Sequence, residues 1–497
     1  MEQIICSRES DLPPLRKDNV CDRAFRGGDK LDPVVVGVLG LVLLLVLLSA
    51  GIHIAFALGI SAFFGFWFLL PPNAALSALW VTPWGFAASH ALSVVILFVL
   101  TGYLAFASGI TAKAYDVGYK LFGRLPGGLA LATVYGSAAF AATTGSSVAT
   151  VGTIGRVAIP EMERYGYEKG LAAGCVAAAG TLGTLIPPSV LLVLYGIIAE
   201  ASIGQLLIAG IIPGIFSAIL YGIMITIRVI LNPRLAPPAP PTPWKDAIRS
   251  LPDMSGVLIL FLTMIGGIFL GIFTPTEAGA VGVLIASIGV VYRFYRHRLF
   301  AVVRQLGVPV VVPAEATYLP GETVSGAEPR MRMAFQHALQ DTTRVVGMIL
   351  AILIGAALFS QFVSLSRIPY HFSQMISTLD QPPAVILTLV LFLYIPLGMF
   401  LNPLSVMIIA VPITLPVILE LGHSPIWYGI IVIKMMEVAA ITPPVGLNVY
   451  VAKAVAPHIP LETIFGGIFW FFIVDLITIA LLVIFPDIIL FLPNLMF

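Results

Sequence analysis

Residues 181–192 read TLGTLIPPSVLL, and residues 437–448, which lie 256 positions later, read EVAAITPPVGLN. Both stretches are mostly apolar, and each contains two adjacent prolines. A proline inside a helix removes a backbone hydrogen bond and clashes with the preceding turn, so each pair predicts a helix break. If such a helix lies in a membrane, the freed backbone groups must be satisfied by protein or by a watery cavity. The two stretches therefore predict two broken membrane helices, each beside a candidate binding site.

The composition places most of the chain in lipid. Of its 497 residues, 59% are hydrophobic and 10% are charged, against roughly 25% charged in an ordinary soluble domain. Residues 34–50 and 464–485 approach or reach the ~20 apolar residues that cross a bilayer, and many such runs follow one another. We therefore expect an all-α polytopic membrane protein in contact with the lipid bilayer. The net charge of +1, without a basic face, argues against nucleic acid as a partner.

Hydropathy and breaker residues divide the chain into ordinary spans and four exceptional segments. The ordinary spans are predicted near residues 33–51, 53–70, 89–112, 205–230, 253–272, 276–292, 344–362 and 461–491. Segments 126–158 and 384–418 are too long for one span and have polar or proline-containing centres, which predicts re-entrant helical hairpins. Segments 170–199 and 425–455 contain the proline pairs and are predicted to be broken helices. The polar extension 1–32 lacks the pattern of a signal peptide and is expected not to be cleaved.

Prolines and glycines indicate an internal duplication. They recur at the offset of 256 as Pro160 with Pro416, Gly166 with Gly422 and Gly210 with Gly466. Upstream the offset is 220, so the second half is expected to hold an insertion of 36 residues (256 − 220), which the stretch 295–340 supplies. A chance match of apolar segments would reproduce leucine and valine more readily than prolines, which favours duplication. The predicted organisation is a first repeat at 33–230, a proline-rich cytoplasmic linker at 231–252 and a second repeat at 253–491.

Charged loops predict that the two repeats have inverted topology. Each half has five crossings, an odd number, so the second half must start on the opposite side of the membrane. Short cytoplasmic loops accumulate Lys and Arg. The loops beside the first hairpin hold Lys113, Lys120, Arg124, Arg156, Arg164 and Lys169, whereas the matching loops of the second half hold only Arg367. This opposite charge bias agrees with inversion. The six basic residues of the extension disagree with it, because this topology places the extension in the periplasm.

The breaks and the hairpin tips carry the candidate site residues. Unwound carbonyls and hydroxyl or amide oxygens are hard ligands that suit Na⁺, while half-helix amino termini attract anions. The predicted Na⁺ ligands are Gly145, Ser146, Ser147, Thr181, Gly183, Thr184, Pro187, Asn402, Pro403, Ala439, Thr442, Pro443 and Gly446; the predicted substrate contacts are Pro188, Ser189, Pro444 and Asn448. The alternative is that the prolines only kink packed helices, but two symmetric copies favour a site.

The same residues resemble a known family. The motifs are GSSVAT at 145–150, GRVAIPEM at 155–162, LIPPS at 185–189, TPTE at 274–277, and Glu437 with TPPVGLN at 442–448. From about residue 35 to 490 the chain resembles the large permease subunit of tripartite ATP-independent periplasmic (TRAP) transporters. The resemblance implies an elevator-type, Na⁺-driven importer of organic acids in the bacterial inner membrane. It also implies two partners, a small membrane subunit and a periplasmic substrate-binding protein.

Two positions depart from the family pattern. The second hairpin tip often carries an acidic residue in this family, whereas this chain has Asn402, and the position of Ala439 is often glycine. A neutral tip removes a charged Na⁺ ligand but keeps an oxygen ligand. The resemblance further implies that hairpins and broken helices form the moving body and that the other spans form the scaffold.

Charged residues inside the predicted spans are functional candidates because they are unfavourable in lipid. Lys434 and Glu437 stand three residues apart on one helix, so they either neutralise each other or take part in coupling. Asp475 and Glu277 lie in scaffold spans and are interpreted as packing or subunit contacts.

The dispersed histidines and the lack of a phosphate-binding loop predict no metal site, no cofactor other than Na⁺ as coupling ion, and no enzyme activity. Two alternatives are a stand-alone Na⁺/carboxylate symporter, which would act without partners, and an intramembrane enzyme. The enzyme is disfavoured because the polar residues are split between two motifs.

Overall fold

A computed structural model of the chain describes residues 32–88, 91–237, 243–305, 331–368, 370–371, 374, 382–443 and 446–496, and these residues form helices and turns without a strand. The extension before Asp32, residues 306–330 of the predicted insertion, and Pro444 lie outside the described residues. In the described parts of the insertion, one helix extends to residue 305 and the next helix begins at residue 331.

The helices of the first half are α1 (Pro33–Ser49), α2 (Ile54–Leu69), α3 (Pro72–Ala87), α4 (Ala91–Ala107), α5 (Ile110–Phe122), α6 (Gly128–Thr144), α7 (Ser147–Arg164), α8 (Lys169–Leu185), α9 (Val190–Ile198), α10 (Ile203–Ala209) and α11 (Ile211–Leu231). The predicted linker contains α12 (Trp244–Ser250). The second half contains α13 (Ser255–Phe261), which continues through a π-turn to Phe269, then α14 (Pro275–Gln305), α15 (Met331–Leu365), α16 (Pro383–Phe400), α17 (Pro403–Glu420), α18 (Pro425–Ile441), α19 (Leu447–Val455), α20 (Leu461–Ile484) and α21 (Asp487–Met496).

Six helical segments of the described chain are long and apolar enough to cross a membrane, and the pair α8 and α9, bent by 47°, makes a seventh if counted as one span. The regions predicted as spans at 33–51 and 53–70 form helices of 17 and 16 residues. At 1.5 Å per residue each is about 24–26 Å long, shorter than a hydrocarbon core of about 30 Å. The chain turns between them at Gly51, whose φ of +81° is open to glycine.

Two helices of the first half, α3 and α5, were not predicted as separate elements. α3 carries Trp80 and Trp84, both strongly exposed. The region predicted as one span at 89–112 is divided, because Gly109 takes a left-handed conformation with φ of +77° and α5 starts at the next residue.

Helix bounds repeat at the offset found in the sequence. α7 and α17 begin and end 256 residues apart, and so do α8 and α18. α6 and α16 differ from this offset by one residue at their start, and α9 and α19 differ by one residue at both ends. The duplicated proline and glycine pattern therefore corresponds to duplicated helix boundaries.

The short helix after each break packs against the opposite half of the chain. α9 contacts α17 and α18, while α19 contacts α7 and α8. Asn448 on α19 illustrates the exchange, because its Nδ2 donates a hydrogen bond to the carbonyl of Ala177 on α8, 3.2 Å away. This hydrogen bond joins the helix that follows the second break to the helix that precedes the first break.

Small residues let α8 approach α20 closely. Gly170 and Gly174, four positions apart on α8, face Gly467 on α20. An added Cβ at Gly174 would lie 2.6 Å from the carbonyl carbon of Gly467, and one at Gly467 would overlap the Gly170 carbonyl. Glycines at this spacing are a common way for membrane helices to bring their backbones into contact. This contact fixes α8, and with it the first break, against the second half.

Candidate functional site

The tip of the first hairpin is built by a glycine and a serine. Gly145 ends α6 with φ of +59°, a conformation that glycine adopts without strain. Ser146 then caps α7, because its hydroxyl accepts a hydrogen bond from the backbone N–H of Ala149 at 3.4 Å. The Thr150 hydroxyl donates to the Ser146 carbonyl at 2.7 Å and so holds the tip to the first turn of α7.

Glycines bring this tip against the first break. A Cβ at Gly145 would overlap the carbonyl oxygen of Pro188, and one at Gly183 would lie 3.0 Å from the Ser146 carbonyl. Both positions are therefore backbone contacts that leave no room for a side chain. The structure thus brings Gly145, Ser146 and Gly183 together at the first break.

The Ser189 hydroxyl bonds the backbone on both sides of the first break. α8 ends at Leu185, the Pro187–Pro188 peptide is cis, and α9 starts after Ser189. The Ser189 hydroxyl accepts from the Leu192 N–H at 3.3 Å and donates to the Thr184 carbonyl. Ser189 is therefore a helix cap in this structure, although the sequence analysis placed it among substrate contacts.

The second tip is built differently. Asn402 is exposed, and its Oδ1 caps α17 by accepting from the Ser405 N–H at 2.9 Å. The Ser405 hydroxyl itself is buried and has no hydrogen-bond partner among the described residues. Ala439 fits the room left by Gly398 on α16, where an added Cβ would overlap the alanine methyl. The methyl group of Ala439 is therefore accommodated because residue 398 of the second hairpin is a glycine and has no side chain.

The second break starts at Thr442. Its hydroxyl donates to the Val438 carbonyl at 2.6 Å, so it is engaged within its own helix. Pro443 is exposed, and Gly446, with φ of +60°, precedes α19. Asn448 is buried, and its Oδ1 has no partner among the described residues. Pro444, a predicted substrate contact, lies outside the described residues.

A narrow crevice lies between the two breaks. It is lined by Ser147, Thr181, Thr184, Leu191, Pro403, Met436, Glu437 and Ala440. Six of these residues are three pairs that lie 256 positions apart: Ser147 with Pro403, Thr181 with Glu437, and Thr184 with Ala440. Equivalent positions of the two halves therefore meet at one place, with hydroxyls on the first-half side and a carboxylate on the second.

Only some of the predicted ligands reach this crevice. Ser147, Thr181, Thr184 and Pro403 line it. The lining does not include Gly145, Ser146, Gly183, Pro187, Asn402, Ala439, Thr442, Pro443 or Gly446 among the predicted Na⁺ ligands, nor Pro188, Ser189 or Asn448 among the predicted substrate contacts. The tip glycines and caps instead shape the backbone around it.

A buried charge network adjoins the crevice. Lys434 Nζ lies 2.7 Å from Glu437 Oε2 and 2.7 Å from Asp475 Oδ1, and all three side chains are essentially inaccessible. Glu437 Oε1 accepts a hydrogen bond from the Thr184 hydroxyl at 2.9 Å, which joins α18 to α8. The Tyr221 hydroxyl donates to Asp475 at 2.7 Å, and Lys434 Nζ lies 5.7 Å from the centroid of the same tyrosine ring. Removing one partner of such a buried pair is expected to be destabilising by about 3–5 kcal/mol.

The structure also places the two other charges predicted to lie inside spans. Asp475 is fully buried within the chain and bound to Lys434 and Tyr221, so its contacts are packing contacts, one of the two predicted alternatives. Glu277 is exposed at the start of α14, where its carboxylate accepts from the N–H and hydroxyl of Thr274 at 2.8 and 2.9 Å. Thr274 in turn accepts from the Glu277 N–H at 3.3 Å, which is a capping box.

Lys434, Glu437 and Asp475 were recognised from the sequence as charges inside spans, but Tyr221 and the pairing of Asp475 with Lys434 were missed. One signal was available for Asp475, because it is the only charge in residues 464–485, and an isolated intramembrane charge requires a partner. The partner itself could not be read from spacing, since Tyr221 lies 254 positions away.

Comparison with known proteins places the chain in a family. Residues 41–488 match the model of the tripartite ATP-independent periplasmic transporter, DctM component. The C4-dicarboxylate TRAP transporter large permease protein of Vibrio cholerae is 30% identical over 440 residues, which cover 86% of this chain and 91% of the relative. The sialic acid TRAP transporter large permease protein of the same species is 31% identical, with 81% and 86% covered.

A solved structure supports the fold. The YdaH transporter of Alcanivorax borkumensis superposes with a TM-score of 0.54 over 92% of this chain and 98% of that one, at 18% identity. At this identity the likeness concerns the helical architecture alone. The family match over 41–488 and the relatives at 30% identity establish that this chain belongs to the large permease (DctM component) family of tripartite ATP-independent periplasmic transporters, which are multi-pass inner-membrane transport proteins and not enzymes.

Proposed function

We propose that this chain is a Na⁺-coupled permease that imports a small organic acid handed over by a periplasmic binding protein, in complex with a small membrane subunit. The crevice between the two breaks is the observation that carries the proposal. Three pairs of equivalent residues line it, and they supply hydroxyl oxygens and one carboxylate. Such hard oxygen ligands at broken membrane helices suit Na⁺.

The amino termini of α9 and α19 support an anionic substrate. Both helices start directly after a break and have nine residues each, so the positive end of each helix dipole lies at a break. The names of two relatives, C4-dicarboxylate and sialic acid permeases, also denote organic acids.

Inverted repeats and an elevator movement are part of the proposal. The repeated helix bounds support duplication, and the opposite charge bias of the hairpin loops supports inversion. The hairpins, the broken helices and their exchanged short helices would then move as one body. α1, α2, α14 and α15 would belong to the scaffold.

Reconstitution tests the coupling and the partners separately. The chain and its small membrane subunit would be placed in liposomes, with the binding protein loaded with C4-dicarboxylate or sialic acid as probes. We expect uptake that needs both the binding protein and an inward Na⁺ gradient. Uptake on a Na⁺ gradient by this chain alone would favour the stand-alone symporter, and uptake indifferent to Na⁺ would refute Na⁺ coupling.

Ser146 and Thr442 test whether the breaks form the site. Substitution of either by leucine places an apolar side chain at a tip or a break, and we expect loss of Na⁺-dependent uptake with normal membrane insertion. Ser364→Leu is the control, because Ser364 is exposed on α15 and bonds only its own helix. Unchanged Na⁺ dependence in both Ser146→Leu and Thr442→Leu would count against these positions.

A further inference from the structure

With its three charged side chains ionised, the buried network carries one more negative charge than positive charge. Lys434 is its only cation, and Glu437 and Asp475 are its two carboxylates. The ammonium lies 2.7 Å from each carboxylate, so neither distance makes one of them the preferred partner. No other Lys, Arg or His of the described chain forms an ion pair with either acid. Because buried charges are unfavourable unless they are paired, one carboxylate is short of a counter-charge.

Glu437 is the carboxylate that can receive a cation from the crevice. It lines the crevice, whereas Lys434 and Asp475 do not. Its Oε2 faces Lys434, and its Oε1 is bound by Thr184. Ser147 lines the same crevice, is 7% exposed, and its hydroxyl makes no hydrogen bond within the described part of the chain. A carboxylate and an unpartnered hydroxyl thus face the same small space.

Asp475 is placed to keep Lys434 when Glu437 is occupied. It lies on α20 and does not line the crevice, and the Tyr221 hydroxyl from α11 lies 2.7 Å from each of its carboxylate oxygens. Lys434 has three N–H donors on a flexible stem. It can therefore lengthen its contact with Glu437 without losing its contact with Asp475.

We propose that Lys434 is a tethered competitor of the coupling cation: it neutralises Glu437 when the crevice is empty and is retained by Asp475 when Na⁺ binds Glu437. This inference rests on the proposed Na⁺ coupling. It assigns Lys434, Asp475 and Tyr221 as residues that set the affinity of the site without touching Na⁺. Na⁺ binding takes the three ionised side chains together with the bound ion from a net charge of −1 to zero, and emptying the site restores the Lys434–Glu437 pair.

Two variants with opposite expected effects test the proposal. In Asp475→Asn, Glu437 is the only carboxylate that still pairs with Lys434. Lys434 should then compete more strongly with Na⁺, so Na⁺ binding should weaken. Lys434→Gln with Asp475→Asn removes the competitor, leaves Glu437 as the only charge, and should strengthen Na⁺ binding. We expect a shift of about tenfold in each direction, which corresponds to ~1.4 kcal/mol. The single Lys434→Gln variant is avoided because it leaves two uncompensated carboxylates.

The measurement is the Kd of radioactive Na⁺ for the purified complex with the small membrane subunit, accompanied by thermal unfolding of each variant. Tyr428→Phe is the control, because Tyr428 lies on the same helix and its buried hydroxyl bonds Thr414 and Tyr394, away from the network. Glu437→Gln should abolish the binding that the two variants shift.

Opposite shifts of the Kd support the competitor. If Lys434 only stabilises the fold, the variants should lower the unfolding temperature and leave the Kd for Na⁺ unchanged. That result, or Kd shifts in the same direction in both variants, would overturn the inference while leaving Na⁺ coupling intact. A wild-type complex that binds no Na⁺ would overturn the proposed coupling and the inference together.

Discussion

Gly145 offers the sharpest test of the contact between the first hairpin tip and the first break. Substitution by alanine has two separate effects. The left-handed conformation with φ of +59° disfavours a Cβ by about 1–2 kcal/mol. The Cβ would also overlap the Pro188 carbonyl oxygen, and since a backbone atom cannot rotate away, we add about 1–3 kcal/mol for overpacking.

Gly422 separates these effects. It has φ of +80° with nothing within 4 Å of an added Cβ, so Gly422→Ala has the strain without the clash. The difference of about 1–3 kcal/mol would be relieved by lifting the tip off the break, which lowers the population of the closed site by about 5–150-fold. We expect Gly145→Ala to reduce Na⁺-dependent uptake by that factor relative to Gly422→Ala, at equal membrane insertion.

The assay is uptake into proteoliposomes, with the amount of inserted protein determined for each variant and thermal unfolding measured in detergent. Equal uptake by Gly145→Ala and Gly422→Ala would refute the reasoning, since it would mean that the tip need not touch Pro188. A loss in both variants would assign the effect to backbone strain.

Two further substitutions test the packing around the site. Gly467→Ala should lower the free energy of unfolding by about 1–3 kcal/mol, because the added Cβ would overlap the Gly170 carbonyl. The neighbouring Gly466→Ala is the control, since nothing lies within 4 Å of a Cβ added there. Equal unfolding temperatures of the two variants would contradict the close approach of α8 and α20. Thr274→Ala should remove one side of the capping box with Glu277 and lower stability by about 0.5–2 kcal/mol, without changing the Na⁺ dependence of uptake; a change in that dependence would show that this cap takes part in coupling.

The broken helices illustrate what could be predicted from sequence. The prediction of two breaks at an offset of 256 rests on prolines, whose steric effect is local. Helix bounds at Lys169–Leu185 and Pro425–Ile441 follow that offset at both ends. Site prediction was less complete, since Ser147 and Thr181 line the crevice but Asn402 and Ser189 serve as helix caps. Hydroxyl and amide groups near a break suit either role, and only the direction of the side chain separates them.

The charge network could not be predicted from spacing. Lys434 and Glu437 are neighbours on one helix, so their pairing follows from helix geometry. Asp475 and Tyr221 join them from α20 and α11, because close helix packing brings these helices together. A single charge in an apolar span indicates that a partner exists, but it does not identify it.

The sequence by itself determined that this chain lies in a membrane, and it predicted a duplication with a broken helix in each half. These properties depend on transfer of side chains from water to lipid and on the backbone sterics of proline, and both act on short stretches of chain. Only the tertiary structure decided that residues beside the two breaks line one crevice, with Thr181 and Glu437 at equivalent positions of the two halves. That result depends on distances between residues remote in sequence, which glycine contacts between helices set and which local patterns do not encode.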